Sequence, residues 1–427
     1  MKTVTILLAL LLPAFLAQSN PPRPAAAPNY EFNNGNWFDG QKFVSRKFYS
    51  VGGVLTTKKP GHVDRVFDLT GKYVVPPFGE AHNHNLDWSN DEQFARVKRM
   101  YLEGGVFYVK NPNSLLRSRV PTAARINTPT SVDGIVSNGG LTGAGGHPIE
   151  IVTPKRGFLP TDGEGGFYFV IENQGDLDRK WATIKAGKPD FIKTYLLYSE
   201  EYEKRKNDDA YLGWRGLDPA ILPAIVRRAH KDGLRVSTHV ETARDFHNAL
   251  IAGVDEINHT PGFRPDRNDL ANYTRLSHYA ISEADARLAA SHHVVVVTTM
   301  GETIEAVLNE NDKEHADIRR NVLDMVVYNF EMLKKYRVAI AIGSDSFRQT
   351  SVPEALSLNK LHVFTNLELL KMWCETTAAT IFPNRKIGHL KEGYEANFLV
   401  LSADPLVDFT NVKKIELRFK QGELLTP

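Results

Sequence analysis

Between residues 73 and 343 the chain alternates short apolar runs with longer amphipathic stretches. Eight runs, at 73–78, 105–109, 132–137, 190–195, 235–240, 255–259, 293–298 and 338–343, have the length and composition of buried strands. Helical spacing follows most of them. Ile221, Leu222, Ile225 and Ala229 share one face of a helix expected over 219–231. Phe246, Leu250 and Gly253 fall at helical spacing over 243–253, and Gly253 closes that helix. Ser282, with Asp285 three residues on, marks a further helix start. This alternation predicts an α/β fold, a (β/α)₈ TIM-like barrel. The segment 141–188 interrupts it with Gly-rich turns, an apolar run at 166–171 and a helix near 176–185. A long insertion of this kind often covers an active-site face.

The texture differs at both ends. From Tyr30 to about Gly71, short alternating segments are split by glycines, as in Asn36-Trp37-Phe38-Asp39-Gly40 and Arg65-Val66-Phe67-Asp68. It returns after Lys386, with a turn at 388–393, a strand at 396–401 and another at 414–419. Neither end is long enough to bury a core alone. They are expected to pair into one small β-sandwich domain over 30–72 and 385–427, leaving 73–384 to the barrel.

Lys2, the apolar stretch 6–12 and the small residues Ala17-Gln18-Ser19 read as an export signal over 1–19, followed by a Pro- and Ala-rich linker over 20–29. The expectation is a periplasmic or secreted protein. The apolar stretch is too short for a stable membrane span, and Pro13 interrupts it. Composition is that of a globular protein, 42% hydrophobic and 24% charged, with a net charge of +2. That balance has no basic footprint for nucleic acid and points to a small-molecule substrate; a homo-oligomer remains open. Cys374 is the only cysteine, so no intramolecular disulfide forms, and its place in a helical pattern reads as core.

The candidate chemistry lies at the strand ends. His82 and His84 are two residues apart after the first apolar run, so on a strand both imidazoles face one way and can grip one metal ion. Lys193, His239, His259 and Asp345 each end a later run. An ionised lysine or aspartate in a buried strand costs several kcal/mol unless paired or metal-bound. Six such residues on one barrel rim argue for a shared metal site. Softer candidates for substrate contact are His147, Tyr195 and Tyr198, with Thr298 and Thr299 at the end of the seventh run. Arg156 or Arg348 could bind a carboxylate.

The order His82-x-His84, Lys193, His239, His259, Asp345 resembles the amidohydrolase superfamily. Three neighbourhoods are similar to its imidazolonepropionase-like and prolidase-like branch: 74–84, 238–259 and Gly343-Ser344-Asp345. Thr376-Thr377-Ala378-Ala379 resembles the family's last barrel helix, and 388–401 its returning β segment. The resemblance implies that His82, His84 and Asp345 hold one divalent metal and His239 and His259 a second. Lys193, carboxylated by carbon dioxide, would bridge them. Zinc suits these donors; manganese and iron also do. It further implies cleavage of an amide or peptide bond in a dipeptide or N-acyl amino acid, through a metal-bridging hydroxide with Asp345 as proton shuttle. Alternatives are a mononuclear deaminase or cyclic-amide hydrolase, a lactonase or phosphotriesterase, and, last, a non-enzymatic barrel scaffold.

Overall fold

The structure, a computed structural model, describes residues 27–86, 90–263, 276–309 and 316–426. The expected export signal over 1–19 and residues 20–26 of the expected linker lie outside them.

The two chain ends build one eight-stranded sheet. Tyr30–Phe38 lies at its centre, antiparallel to Phe43–Val51 and parallel to Arg65–Asp68 and Tyr73–Val75. The returning strand Phe398–Leu401 pairs antiparallel with Tyr73–Val75, and Ile415–Lys420 pairs with it in turn. Phe32, Phe67, Phe398 and Phe419 fill this small β domain, with Phe398 and Phe419 stacked at 4.6 Å. The domain is tied to the barrel by a buried ion pair, Lys420 Nζ to Asp133 Oδ1 at 2.6 Å, and by Arg385 on the same carboxylate at 2.8 Å.

Eight parallel strands form the barrel: β1 (Phe78–Glu80), β2 (Val106–Ser114), β3 (Asp133–Asn138), β4 (Ile192–Tyr195), β5 (Val236–His239), β6 (Glu256–Asn258), β7 (Val295–Val297) and β8 (Ala339–Ala341). After Gly139, β3 continues as Gly140–Thr142, which pairs with β4 and with an added strand, Tyr168–Val170. The ring closes where Ala81 N donates to Ile342 O at 2.9 Å.

The apolar run at 73–78 is not one barrel strand. Tyr73–Val75 belongs to the small β domain, and β1 begins at Phe78. Pro76 and Pro77 lack the N–H groups a ladder needs, so the run splits there. Helices follow the pattern more closely. Leu222–Lys231 buries Leu222, Ile225, Val226 and Ala229 on one face. Ala243–Ala252 starts with a Thr242–Asp245 capping box and ends at Gly253, whose φ of 83° is left-handed. Ser282 caps Glu283–Ser291. Cys374 is buried. Among the described residues no helix is long and apolar enough to cross a membrane.

Candidate metal centre

The six strand-end residues His82, His84, Lys193, His239, His259 and Asp345 line one cavity of about 150 Å³ at the C-terminal mouth of the barrel. Strand direction is the cause: His239 ends β5, and His82, His84, His259 and Asp345 lie past the C-terminal ends of their strands, where side chains face the opening, while Lys193 reaches the same cavity from within β4. His82 and His84 follow β1, and Asp345 follows β8, its ring neighbour. Asp345 Oδ1 is 3.2 Å from His82 Nε2 and 2.9 Å from His84 Nε2. Ligand atoms of these three side chains lie within 4.8 Å of one another.

Glu80 clamps these two strand ends together. Its buried carboxylate accepts from Ser344 N and Oγ, both at 2.8 Å, and from His82 N at 3.3 Å. Burial pushes the Glu80 carboxyl up to about 8. Gly343 allows the approach, since a Cβ there would sit 2.7 Å from His82 N. Asp345 itself has φ 52° and His259 φ 74°, conformations that non-glycine residues hold only where the surroundings impose them.

His239 and His259 complete the ring of imidazoles. Their centroids are 4.4 Å apart, and His259 is 4.8 Å from His82. His259 Nδ1 lies 2.6 Å from Thr299 Oγ1, and His239 Nε2 lies 3.0 Å from Glu241 Oε1. A partner on one ring nitrogen leaves the other its lone pair, which is the form a metal needs. Lys193 Nζ donates to Asn258 Oδ1 and sits 5.2 Å from the Tyr195 ring.

Electrostatics also favours a metal. Burial drives His82 down to about 3, so its imidazole is neutral. Burial alone would raise the Asp345 carboxyl, but the His82 and His84 rings outweigh it and hold it well below the usual range. Burial pushes Lys193 down to about 7. His82 Nδ1 is buried and has no hydrogen-bond partner among the described residues. The neutral His82 imidazole with its orphaned buried nitrogen, beside an ionised Asp345 carboxylate, fits a divalent cation.

The softer candidates separate. His147 lines the cavity, 5.1 Å from Tyr195 and 5.2 Å from His239, and Tyr195 lines it too. Tyr198 does not. Its φ of 49° turns the chain, its N donates to Asp245, and the Arg205 guanidinium covers its ring at 3.9 Å. Thr298 and Thr299 lie behind the site, Thr299 against His259, instead of on the wall. Arg156 lines the cavity, whereas Arg348 is an exposed residue away from it. The composition of the walls was not foreseen: Asn113, Pro148, Glu150, Ile151, Phe167, Phe263 and Phe347. Phe263 stacks on His259 at 4.0 Å and Phe347 on His84 at 4.9 Å. Their only sequence signal is closeness to the ligands, four residues after His259 and two after Asp345.

The sequence model of the amidohydrolase family matches residues 213–425, which hold His239, His259 and Asp345. No curated protein sequence matches the chain. Solved structures resemble it along nearly all its length. A crystal structure described as an amidohydrolase is 20% identical, covers 93% of this chain and 99% of its own, and gives a TM-score of 0.70. Ochratoxinase from A. niger is 18% identical over 94% of this chain and 96% of its own, with a TM-score of 0.72. A Xaa-Pro dipeptidase with methionine bound in its active site is 16% identical over 94% and 100%, with a TM-score of 0.69. At these identities the likeness establishes the fold.

Proposed function

Since the chain belongs to the amidohydrolase superfamily and is a hydrolase of carbon–nitrogen bonds, we propose that it cleaves an amide or peptide bond in a small substrate, a dipeptide or an N-acyl amino acid. The observation that carries this reading is the convergence of His82, His84, Lys193, His239, His259 and Asp345 on one cavity. His82, His84 and Asp345 would hold one divalent ion and His239 and His259 a second, with zinc favoured by the donors. Such ions supply Lewis-acid polarisation of the carbonyl and a water acidic enough to attack it.

The chain's own groups do the rest. Asp345 is ionised and lies at the cavity wall, so it takes a proton from the attacking water and returns it to the leaving nitrogen. An amide nitrogen leaves only when protonated, so this shuttle serves both halves of the reaction. Asn258 holds Lys193, and carboxylation there would turn a costly buried cation into an anionic ligand. His147 and Tyr195 face the substrate from the β3 and β4 side.

One observation favours a second reading. Only His82, His84 and Asp345 form a group of potential ligands among the described residues, which suits a one-metal hydrolase. Metal per chain at full activity separates the two: two ions support the first reading, one the second. Purified, zinc-loaded protein is expected to release free amino acid from dipeptides or N-acyl amino acids faster than it opens lactones or phosphotriesters. Preference for the latter, or no carbon–nitrogen cleavage, would reject the proposal. Export is part of it, resting on the N-terminal pattern at 1–19. Sequencing the N-terminus of the mature protein tests that, with a start near residue 20 expected.

A further inference from the structure

A second cavity lies away from the metal centre, toward the N-terminal end of β1. It measures about 340 Å³, within the range of small-molecule sites, and shares no lining residue with the metal centre. Pro76, two residues before β1, forms part of its wall. The small β domain contributes the turn at Asp39 and Gly40, and Arg46 on the strand Phe43–Val51. The barrel side contributes Glu375, from a π-helical turn over Met372–Thr376. The turn from Gly388 to Lys391 closes the ring.

Glu375 is held firmly with nothing to answer its charge. Residues on either side of it are anchored. Trp373 Nε1 donates to Gly79 O at 2.9 Å, and Thr377 Oγ1 accepts from Ile342 N at 2.9 Å. The Glu375 side chain is only 16% exposed. Its Oε1 is buried with no hydrogen-bond partner among the described residues. His389 Nδ1 stands 3.5 Å from Oε1 without bonding it, and Lys371 Nζ is 4.0 Å from Oε2. Burial pushes the carboxyl above its usual range, against the pull of Lys371 and Lys391. Burial and the same lysines push His389 down, so it stays a neutral imidazole. A carboxylate so placed destabilises the fold unless a donor reaches it.

Two cations border the same space. The Arg46 and Lys391 side chains make no hydrogen bond or ion pair among the described residues. The fifth polar wall residue, Asp39, has its Oδ1 occupied by Gln41 N and Lys42 N, both at 2.9 Å. Phe38, Pro76 and Leu390 are buried and supply apolar surface between the charges. Asp39, Glu375 and His389 are not drawn together as metal ligands are; among the described residues only His82, His84 and Asp345 are. A simple anion would meet Glu375, and a simple cation would meet Arg46 and Lys391. A small molecule carrying both charges answers both walls. Its ammonium gives Glu375 the N–H donors it lacks, and its planar carboxylate suits the guanidinium fork. We infer that this cavity binds a free α-amino acid with an apolar side chain, its ammonium on Glu375 and its carboxylate on Arg46 and Lys391. The inference stands apart from the hydrolase reading, because the two cavities have no residue in common.

The test measures equilibrium binding to the full, metal-loaded chain with three probes. They are L-leucine, 4-methylpentanoate, which lacks the ammonium, and 3-methylbutylamine, which lacks the carboxylate. L-Leucine is expected to bind saturably, roughly tenfold or more tightly than either of the others. Arg46→Met and Glu375→Gln should each weaken L-leucine about tenfold and leave the bound metal unchanged. Arg46 is exposed, so Arg46→Met keeps the fold and decides the matter even where Glu375→Gln does not fold. Folded Glu375→Gln should melt no lower than its parent, since it removes an unanswered charge. A lower melting point with unchanged L-leucine affinity would make Glu375 structural and overturn the inference. So would a singly charged probe that binds as tightly as L-leucine, or no saturable L-leucine binding in the millimolar range. L-Leucine affinity that survives Arg46→Met would put the ligand at another site, the metal centre included, and also overturns it.

Discussion

Asp345→Asn is expected to lower kcat by about 10²- to 10⁴-fold, the usual worth of a positioned general acid–base, while KM, fold and much of the bound metal persist. Asparagine suits the test because it preserves shape and tolerates the backbone. With φ at 52°, position 345 is left-handed, where Asn and Asp are accepted and most other residues add strain. The amide oxygen still faces His82 and His84, at the 3.2 Å and 2.9 Å positions of the carboxylate oxygen. What is lost is the negative charge and the ability to take a proton. Steady-state kinetics, metal analysis and thermal melting on one preparation distinguish the outcomes. Full turnover in the variant would remove Asp345 from the proton path. Loss of metal in parallel with activity would make it a ligand only.

The barrel was legible because its strands are short, apolar and separated by helical spacing, and because parallel strands put their carboxyl ends on one rim. That is why His82, Lys193, His239, His259 and Asp345 were separable from other histidines and acids. Failures came where the chain leaves the ladder. Pro76-Pro77 cuts an apolar run that hydropathy alone joins, sending Tyr73–Val75 to another sheet. Tyr198 lies three residues past β4, beyond the reach of strand alternation, and Asp245 pins the turn that directs it away. Arg156 and Arg348 looked equivalent as residues; only the path of the β3 insertion brings one to the cavity. Lys110 gave no signal either, because the second apolar run ends at Val109 while β2 continues to Ser114.

That missed residue carries the largest expected stability effect. Lys110 Nζ on β2 lies 2.6 Å from Glu256 Oε1 on β6, and both side chains are buried inside the barrel. Glu256 also accepts from Ser237 Oγ at 2.9 Å, Asn258 Nδ2 at 3.0 Å and Thr380 Oγ1 at 2.8 Å. Removing one partner leaves an uncompensated buried charge, so Lys110→Met and Glu256→Gln should each cost about 3–5 kcal/mol. The double variant should cost far less than the two together, since it strands no charge. Additive losses in urea denaturation would mean the pair is not coupled. The pH dependence has a definite sign. Burial would raise the Glu256 carboxyl, but Lys110 and Arg235 outweigh it and hold the group at about 2, below its ordinary 4.5. A depressed carboxyl lends stability above its unfolded value, and that stability is lost as pH falls through about 4.5 toward 2. Lys110→Met should flatten this acid limb. The pair also reaches the metal centre, because Asn258 spends its amide N–H on Glu256 and so turns its oxygen to Lys193. Glu256→Gln should therefore lower metal occupancy at the Lys193 side in protein that is still folded. Unchanged occupancy would confine Glu256 to stability.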